Sequence, residues 1–455
     1  MSKIQRLGLI LGLIFPLVIA CYPALDLPAR LALSVIAFAV IFWTFEPVPI
    51  PYTAILILGL FPLLKIIPFD LTFNAFSGKA VWLVFSGMAL SLGITETPLS
   101  ARLAHLVLDR IGTYNRLILG LHVLGLVMAL LIPSGVVRVL ILMPMVVSLL
   151  KSIGETPDSK VSAALILSTV CATYYGGVGI LTASVPNLVV MGALESHGFT
   201  VYWSQWILYM FPVIGILRVG FIYVLIRLIF RPQHMPNLKA HPNTAHPSEH
   251  LTDAEKKVLG ILLLGIALWA TDVLHGVHPV FIGLVLILLI YLPHWGPLPF
   301  DTLKKVNFPL LIYIAAVFAM GHALDRVGLN AQIASMFTAY LNTLTSPLTT
   351  LGVITLLTVP FNFLMDTAAV AGVLTPLMLD LGTQLNLPPL PVALSVAIGT
   401  GVVFLPYQSA PFVVAYSFRW AKMSQFILAM TLISLLTLLL LLPLTLLYWH
   451  TIGFV

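Results

Sequence analysis

Charged residues are scarce in this chain. Lys, Arg, Asp and Glu make up 8% of its 455 residues, whereas an average soluble domain has about 25%. Apolar residues make up 60%, and a water-soluble surface needs more charge than this to cover them. The composition therefore excludes a soluble enzyme, a disordered chain and a nucleic-acid-binding protein. We attribute the formal net charge of +6 to basic residues at the cytoplasmic ends of membrane spans.

Cysteine and enzyme motifs are scarce as well. Cys21 and Cys171 lie in apolar runs and have the spacing of neither a metal site nor a disulfide framework. The run Val-Ile-Ala-Cys21 follows Lys3 and Arg6 and is similar to a lipoprotein cleavage site, but the many later spans favour a first membrane helix. The chain has no Walker motif, dinucleotide fingerprint or hydrolase elbow. We therefore expect neither an enzyme nor an ATP-driven pump.

Long apolar runs dominate the rest of the sequence. A bilayer core of about 30 Å needs about 20 apolar residues in a helix. By this measure the sequence predicts membrane spans at 7–25, 30–45, 49–67, 80–97, 160–175, 203–230, 257–274, 278–293, 307–324, 388–405 and 424–450. Pro, Gly or polar residues interrupt four further stretches, at 117–150, 176–195, 348–380 and 406–412. The pattern predicts an all-α polytopic membrane protein.

The two halves of the chain are similar in their order of features. The stretch Val81–Thr97 resembles Phe308–Asp325, and 225 residues separate Pro186 from Pro411 in the later breaks. Such a spacing is typical of an internal structural repeat. We predict a first repeat at 1–230 with a hairpin near 117–150, a polar linker at 231–256, and a second repeat at 257–455 with a hairpin near 348–380.

The distribution of charge indicates that the repeat is inverted. The stretch 99–116 contains Arg102, Arg110 and Arg116, whereas its counterpart 329–346 contains no Lys or Arg. Because basic loops favour the cytoplasm, the two stretches are predicted on opposite sides of the cell membrane. We expect a cytoplasmic N-terminus and linker, an external C-terminus, and about 11 transmembrane helices plus two re-entrant hairpins.

The first break contains Ser134, Gly135 and Arg138. Irregular backbone within a membrane is tolerated only where it is buried in protein or lines a wet cavity, so mirrored breaks point to a substrate site. A guanidinium in an apolar run costs several kcal/mol. The plain alternative is an arginine that reaches the interface. We favour substrate contact, because the guanidinium fork suits a carboxylate or a sulfate.

The other three breaks supply further candidate residues. For the second break, the alternative to a substrate site is an ordinary Gly/Pro loop. In the third, Asp366 has three open roles: it neutralises Arg138, holds a cation or carries a proton. Two other acidic residues, Glu46 and Asp272, are interpreted as marking a bend and a span end. The substrate-binding candidates from these breaks are Thr182, Ser184, Pro186, Asn187, Asp366, Thr367, Gln408, Ser409 and Pro411.

These motifs resemble the divalent anion:sodium symporter (DASS) family. The resemblance covers nearly the whole chain and is strongest to the branch of citrate/succinate exchangers and oxoglutarate/malate translocators. It rests on Phe45-Glu-Pro-Val-Pro, on Val81-Trp-Leu-Val-Phe-Ser-Gly and on Pro186-Asn187. It implies an elevator-type transporter fold, a homodimer, and a substrate held between two hairpin tips. In sodium-coupled members these tips and breaks also bind sodium, here near Ser134, Asn187 and Asp366.

The first tip departs from the family pattern. That branch has Ser-Asn-Thr-Ala-Arg, whereas this chain has Gly135 and Val136 between Ser134 and Arg138, so oxygen ligands for sodium are lost. We expect a secondary transporter of di- or tricarboxylates, by symport or exchange, with no cofactor and with Na⁺ or H⁺ as candidate coupling ions. The alternatives are a carrier of a sulfate-like oxyanion, a proton-coupled carrier that uses Asp366, or a channel.

Overall fold

The computed structural model describes residues 3–23, 25–99, 102, 113–157, 159–232, 250–341 and 346–455. Within these ranges the regular elements are all helices, and no strand occurs. Most of the predicted linker at 231–256 lies outside the described residues, as does Arg110 with most of the stretch 99–112.

The described residues of the first half form nine principal helices, separated mostly by short turns. In chain order they are α1 (Lys3–Ala20), α2 (Leu27–Phe45), α3 (Ile50–Leu63), α4 (Lys79–Thr95), α5 (Tyr114–Leu131), α6 (Gly135–Ser152), α7 (Lys160–Val178), α8 (Val185–Ser196) and α9 (Trp203–Ile229). The helix α9 includes a π-helical segment at Phe211–Leu217.

The second half also contains nine principal helices in the described residues. They are α10 (Asp253–Ala270), α11 (Pro279–Ile290), α12 (Phe308–Arg326), α13 (Leu329–Leu341), α14 (Pro347–Thr358), α15 (Thr367–Gln384), α16 (Pro389–Thr400), α17 (Ala410–Ser417) and α18 (Met423–Thr451). Helix bounds agree closely with the apolar runs of the sequence. The N-terminus of α10 is closed by a capping box, in which Thr252 and Glu255 each bind the other's backbone N–H,.

Four helix breaks interrupt the apolar runs. They lie at 132–134, 179–184, 359–366 and 401–409, the third including a short 3₁₀ turn at Val359–Phe363. The second is shorter than the predicted 176–195, and the fourth begins earlier than the predicted 406. Pro144 and Pro376, which close the broken runs in the sequence pattern, lie inside α6 and α15.

Helix contacts occur both within each half of the chain and between the halves. Helix α7 contacts both α5 and α6, and α16 contacts both α14 and α15. Across the halves, α8 packs on α15 and α17 on α6, while α3 packs on α12 and α4 on α11. Helix α7 is buried along its apolar length.

The helices have the length and composition of membrane spans. Within the described part of the chain, seven helices are long and apolar enough to cross a bilayer: α2, α5, α6, α7, α9, α12 and α18. Six shorter apolar helices accompany them. The molecule is a polytopic helical membrane protein.

Candidate functional site

The first hairpin tip joins α5 to α6 through Ile132, Pro133 and Ser134. Ser134 is the N-cap of α6, and its hydroxyl accepts a hydrogen bond from the Val137 N–H at 3.4 Å. A Cβ added to Gly135 would lie 2.9 Å from the Pro411 ring, so this tip packs closely on the start of α17. The structure thus brings Ser134 and Gly135 of the first half beside Pro411 of the second.

Arg138 lies one turn into α6 and is 1% exposed. Its Nη1 donates to the Ile132 carbonyl at 2.6 Å, and its Nη2 donates to the carbonyls of Thr173 and Ala183, both at 3.0 Å. The guanidinium therefore ties the hairpin tip to the end of α7 and to the second break. It does not reach the interface, so the alternative of a surface-seeking arginine is wrong. Its Nε makes no hydrogen bond with any described residue.

The second break is shaped by Asn187. The Asn187 amide donates to the carbonyls of Gly177, Val178 and Ile180 at 3.4, 3.0 and 2.9 Å. The carbonyls of Gly177 and Ile180 also accept turn hydrogen bonds from backbone N–H groups three residues further on, so the Asn187 amide reinforces the turns that follow the end of α7. Of the other candidates in this break, Thr182 accepts from the Trp203 indole N–H at 3.1 Å, Ser184 is the N-cap of α8, and Pro186 lies in its first turn.

The second hairpin tip places Asp366 at the N-cap of α15. Its carboxylate accepts from the Ala368 N–H at 2.8 Å and from the Tyr313 hydroxyl at 3.0 Å. Thr367 begins α15 and is buried. No ion pair between Asp366 and Arg138 occurs among the described residues, so the proposed neutralisation of Arg138 by Asp366 is wrong. Arg138 instead donates to three backbone carbonyls, and Asp366 accepts from the two groups named above.

The fourth break is tied to the second hairpin by two amides. Gln408 Oε1 accepts from the N–H groups of Phe404 and Leu405, and its Nε2 donates to the Asn362 carbonyl at 2.9 Å. Asn362 in turn donates to the carbonyls of Gly399 and Val402 at 2.9 and 2.8 Å. Gln408 thus bonds to backbone. Ser409, the N-cap of α17, has no side-chain capping bond.

Three residues near the tips escaped the sequence analysis. The Tyr174 hydroxyl lies beside the hydroxyls of Ser409 and Thr367. Tyr313 holds Asp366, and Arg218 is fully buried within α9. The two tyrosines carry no sequence signal that separates them from ordinary core aromatics. Arg218 does, because it is an arginine inside an apolar run, as Arg138 is.

The two acidic residues outside the breaks, Asp272 and Glu46, both lie at helix ends. Asp272 is buried and accepts hydrogen bonds from the N–H groups of Trp203 and Ser204 at the start of α9, so it caps a helix of the other half. Glu46 ends α2 with a left-handed backbone, at φ 44°, and lies close enough to Asp366 for the two charges to interact.

The proposed sodium residues are not joined to one another. Ser134 and Asp366 cap the two hairpins, and Asn187 faces the end of α7; none of the contacts within the described residues links the three. In the same residues there is no group of three His, Cys, Asp or Glu side chains that suits a metal ion.

The breaks, buried arginine and all-helical architecture define a class: polytopic membrane proteins with irregular backbone at the membrane interior. Comparison with known proteins identifies the family. The family model described as "Sodium:sulfate symporter transmembrane region" matches residues 3–455, so the chain belongs to this family. It is an integral membrane anion transporter of the DASS family, which confirms the resemblance drawn from the sequence motifs.

Curated relatives are distant. A protein of Escherichia coli strain K12 described as an L-tartrate/succinate antiporter is 23% identical over 363 residues, covering 75% of this chain and 73% of that protein. A protein of Cupriavidus necator described as a membrane protein is 27% identical over 316 residues, covering 64% of this chain and 61% of that protein. The chain thus spans less than two thirds of the second relative.

A solved structure has a similar fold. The YdaH transporter of Alcanivorax borkumensis superimposes with a TM-score of 0.54 at 18% identity, covering 84% of this chain and 87% of that one. The likeness confirms the fold as that of a helical transporter.

Proposed function

We propose that this protein is a secondary carrier that exchanges small dicarboxylates across the cell membrane. The observation that carries the proposal is the buried Arg138, which joins a hairpin tip to the second helix break. An arginine at this depth is costly unless it serves transport or holds the transport path in shape. A relative described as an L-tartrate/succinate antiporter supports a dicarboxylate as substrate.

We further propose an inverted repeat of 1–230 and 257–455 with elevator-like alternating access and eleven crossings. The matched packing of α8 on α15 and of α17 on α6 supports the repeat, and the basic stretch 99–116 with its uncharged counterpart 329–346 supports the inversion,. The N-terminus and linker then face the cytoplasm, and the C-terminus faces outward. A homodimer is the assembly that the family resemblance implies.

The substrate would lie between the two hairpin tips. Ser134, Ser184 and Asp366 are all partly exposed, and they begin α6, α8 and α15. The N-terminus of a helix attracts anions, so the converging starts of α6, α8, α15 and α17 suit carboxylate groups. Ser409 and Thr367, beside the Tyr174 hydroxyl, supply further hydroxyl donors.

Exchange without sodium is the mode we favour. Carbonyl groups at the end of a broken helix are the usual ligands of a coupling cation. Here the donors of Arg138 and Asn187 occupy the carbonyls at the end of α7 and in the second break. A guanidinium already supplies the positive charge there, so a sodium ion would have to compete with it.

Sodium coupling is the second candidate. The family description names sodium, and the Oδ1 atom of Asn362 is buried without a hydrogen-bond partner in the described structure. An amide oxygen of this kind suits a hard cation. The second repeat therefore retains an oxygen that could bind sodium, even though the first repeat does not.

Proteoliposomes test the proposal. Uptake of labelled succinate should require internal succinate, malate or tartrate and should proceed without a sodium or proton gradient. Sulfate in excess should compete weakly. Uptake that needs a sodium gradient and no internal substrate supports the second candidate. Strong competition by sulfate favours an inorganic oxyanion carrier, and saturation-free conductance favours a channel. Purified protein that transports none of these anions would contradict the proposal.

A further inference from the structure

Arg218 is a second guanidinium within the membrane interior. It is 0% exposed and lies inside α9, immediately after the π-helical segment Phe211–Leu217. Its Nη2 donates to the Gly401 carbonyl at 2.8 Å, while its Nε and Nη1 make no hydrogen bond with any described residue. No carboxylate in the described structure forms an ion pair with it. Within the described residues, no acidic side chain therefore compensates this charge by direct contact.

The position of Arg218 connects it to the second and fourth helix breaks. Gly215, three residues before Arg218, packs closely against Gly179. A Cβ added to Gly179 would lie only 2.9 Å from the backbone of Gly215. Gly401, which accepts the Arg218 hydrogen bond, packs on Val178 at the end of α7. The π-helical segment of α9 and the following arginine thus lie where the ends of α7 and α16 meet. π-Helical segments of this kind are often found at functional sites.

The charge of Arg218 also acts on the proposed substrate cleft. Its guanidinium lies 4.2 Å from the centre of the Tyr175 ring, and Phe412 contacts the rings of both Tyr175 and Tyr174. The Tyr174 hydroxyl, which lies beside Ser409 and Thr367, is within the electrostatic reach of Arg218. One buried, unpaired cation therefore lies behind the hydroxyl groups that line the cleft.

We propose that Arg218 determines specificity for doubly charged substrates, through the positive potential that it adds at the cleft beside Ser409 and Thr367. The inference rests on the proposed function and concerns the charge of its substrate. Arg218 does not touch the substrate in this proposal. It acts at a distance, because low-dielectric surroundings keep its field strong at the cleft, where it offsets the charge of Asp366, which also reaches the Tyr174 hydroxyl,.

The size of the effect follows from Coulomb's law. Two unit charges about 10 Å apart, at an effective dielectric constant of about 20, change a binding constant by roughly tenfold. A dianion has twice the charge of a monoanion and gains twice the free energy. Removal of the Arg218 charge should therefore weaken dianion binding by roughly a hundredfold and monoanion binding by roughly tenfold. The ratio of the two affinities is the diagnostic quantity.

The test compares Arg218→Gln with Arg218→Lys. Glutamine keeps a donor for the Gly401 carbonyl and loses the charge, whereas lysine keeps the charge. Affinities for succinate and for its monoamide, which carries one charge in nearly the same shape, are measured by ligand-induced thermal stabilisation and by competition in exchange. Arg227→Gln, an exposed arginine on the same helix, controls for net charge.

The expected result is a roughly tenfold fall in the succinate-to-monoamide affinity ratio for R218Q, with R218K and R227Q close to wild type. An equal loss of affinity for both ligands in R218Q, or the same fall in R218K, would indicate a purely structural arginine and overturn the inference alone. Wild-type protein that neither binds nor exchanges succinate overturns the proposed function, and the inference falls with it.

Discussion

Arg138 Nη2 lies 3.0 Å from the Ala183 carbonyl oxygen and donates a hydrogen bond to it. The two residues are 45 positions apart, one in the second helix of a hairpin and the other in the break between α7 and α8. This bond makes the hairpin tip and the break one polar unit within an apolar protein. The shape of the proposed binding cleft therefore depends in part on this buried side chain.

Replacement of Arg138 should impair both stability and transport. Arg138→Gln leaves at least one of the carbonyls of Ile132, Thr173 and Ala183 without a donor, at about 1–3 kcal/mol for each unsatisfied group. We expect a lower unfolding temperature in detergent and exchange reduced by at least about a hundredfold. Arg116→Gln, at an exposed position, is the control. Wild-type exchange in R138Q would remove Arg138 from the site.

A methyl group at position 177 should disturb Arg138 without altering its charge. A Cβ on Gly177 would lie 2.8 Å from Arg138 Nη2, and three carbonyl bonds leave the guanidinium little freedom to move. We expect Gly177→Ala to destabilise the protein by roughly 1–3 kcal/mol and to slow exchange. Gly220→Ala is the matched control, since its added Cβ meets nothing within 4 Å. Equal stability and equal exchange rates of the two variants would contradict close packing around the guanidinium.

The amides of Asn187 and Asn362 should have similar effects on stability. Each donates to carbonyls at the end of a broken helix, and each loss should cost roughly 1–3 kcal/mol. Asn187→Ala and Asn362→Ala should each lower the free energy of unfolding by this amount. Thermal unfolding followed by tryptophan fluorescence measures this. Asn74→Ala, at an exposed position, should be neutral.

Asp272 should stabilise the contact between the two halves. It accepts from the Trp203 N–H at 2.6 Å and from the Ser204 N–H at 3.3 Å, and a carboxylate at a helix N-terminus is worth about 1–2 kcal/mol. Asp272→Asn should lower the unfolding temperature and leave the succinate-to-monoamide affinity ratio unchanged. The exposed Asp301 supplies the control substitution to Asn. A shift in that ratio would indicate that Asp272 acts on the substrate.

The two native cysteines test the proposed orientation. Cys21 is exposed at the end of α1, whereas Cys171 is buried in α7. If the N-terminus is cytoplasmic, a membrane-impermeant maleimide should label Cys21 from outside intact cells and leave Cys171 unmodified. Cys21→Ser should abolish the labelling. Modification that occurs only in inverted vesicles would reverse the proposed topology.

The sequence predicted most helix bounds and the location of all four breaks. Apolar runs specify helices in a membrane because every backbone group must find a partner within its own segment. Pro133, Pro186 and Pro411 marked the breaks because proline removes a backbone donor. The partners of the polar side chains were not predictable in the same way. Gln408 was expected as a ligand donor, yet both ends of its amide bond to backbone.

By itself, the sequence determined that the chain lies in a membrane and that Arg138 is buried, because these follow from hydropathy and the cost of charge. Only the tertiary structure decided which groups meet. It separated Arg138 from Asp366. It also paired the Asp366 carboxylate with the Tyr313 hydroxyl and the Arg218 guanidinium with the carbonyl of Gly401, 183 residues away. Such pairings depend on how distant helices pack together, which local sequence patterns do not encode.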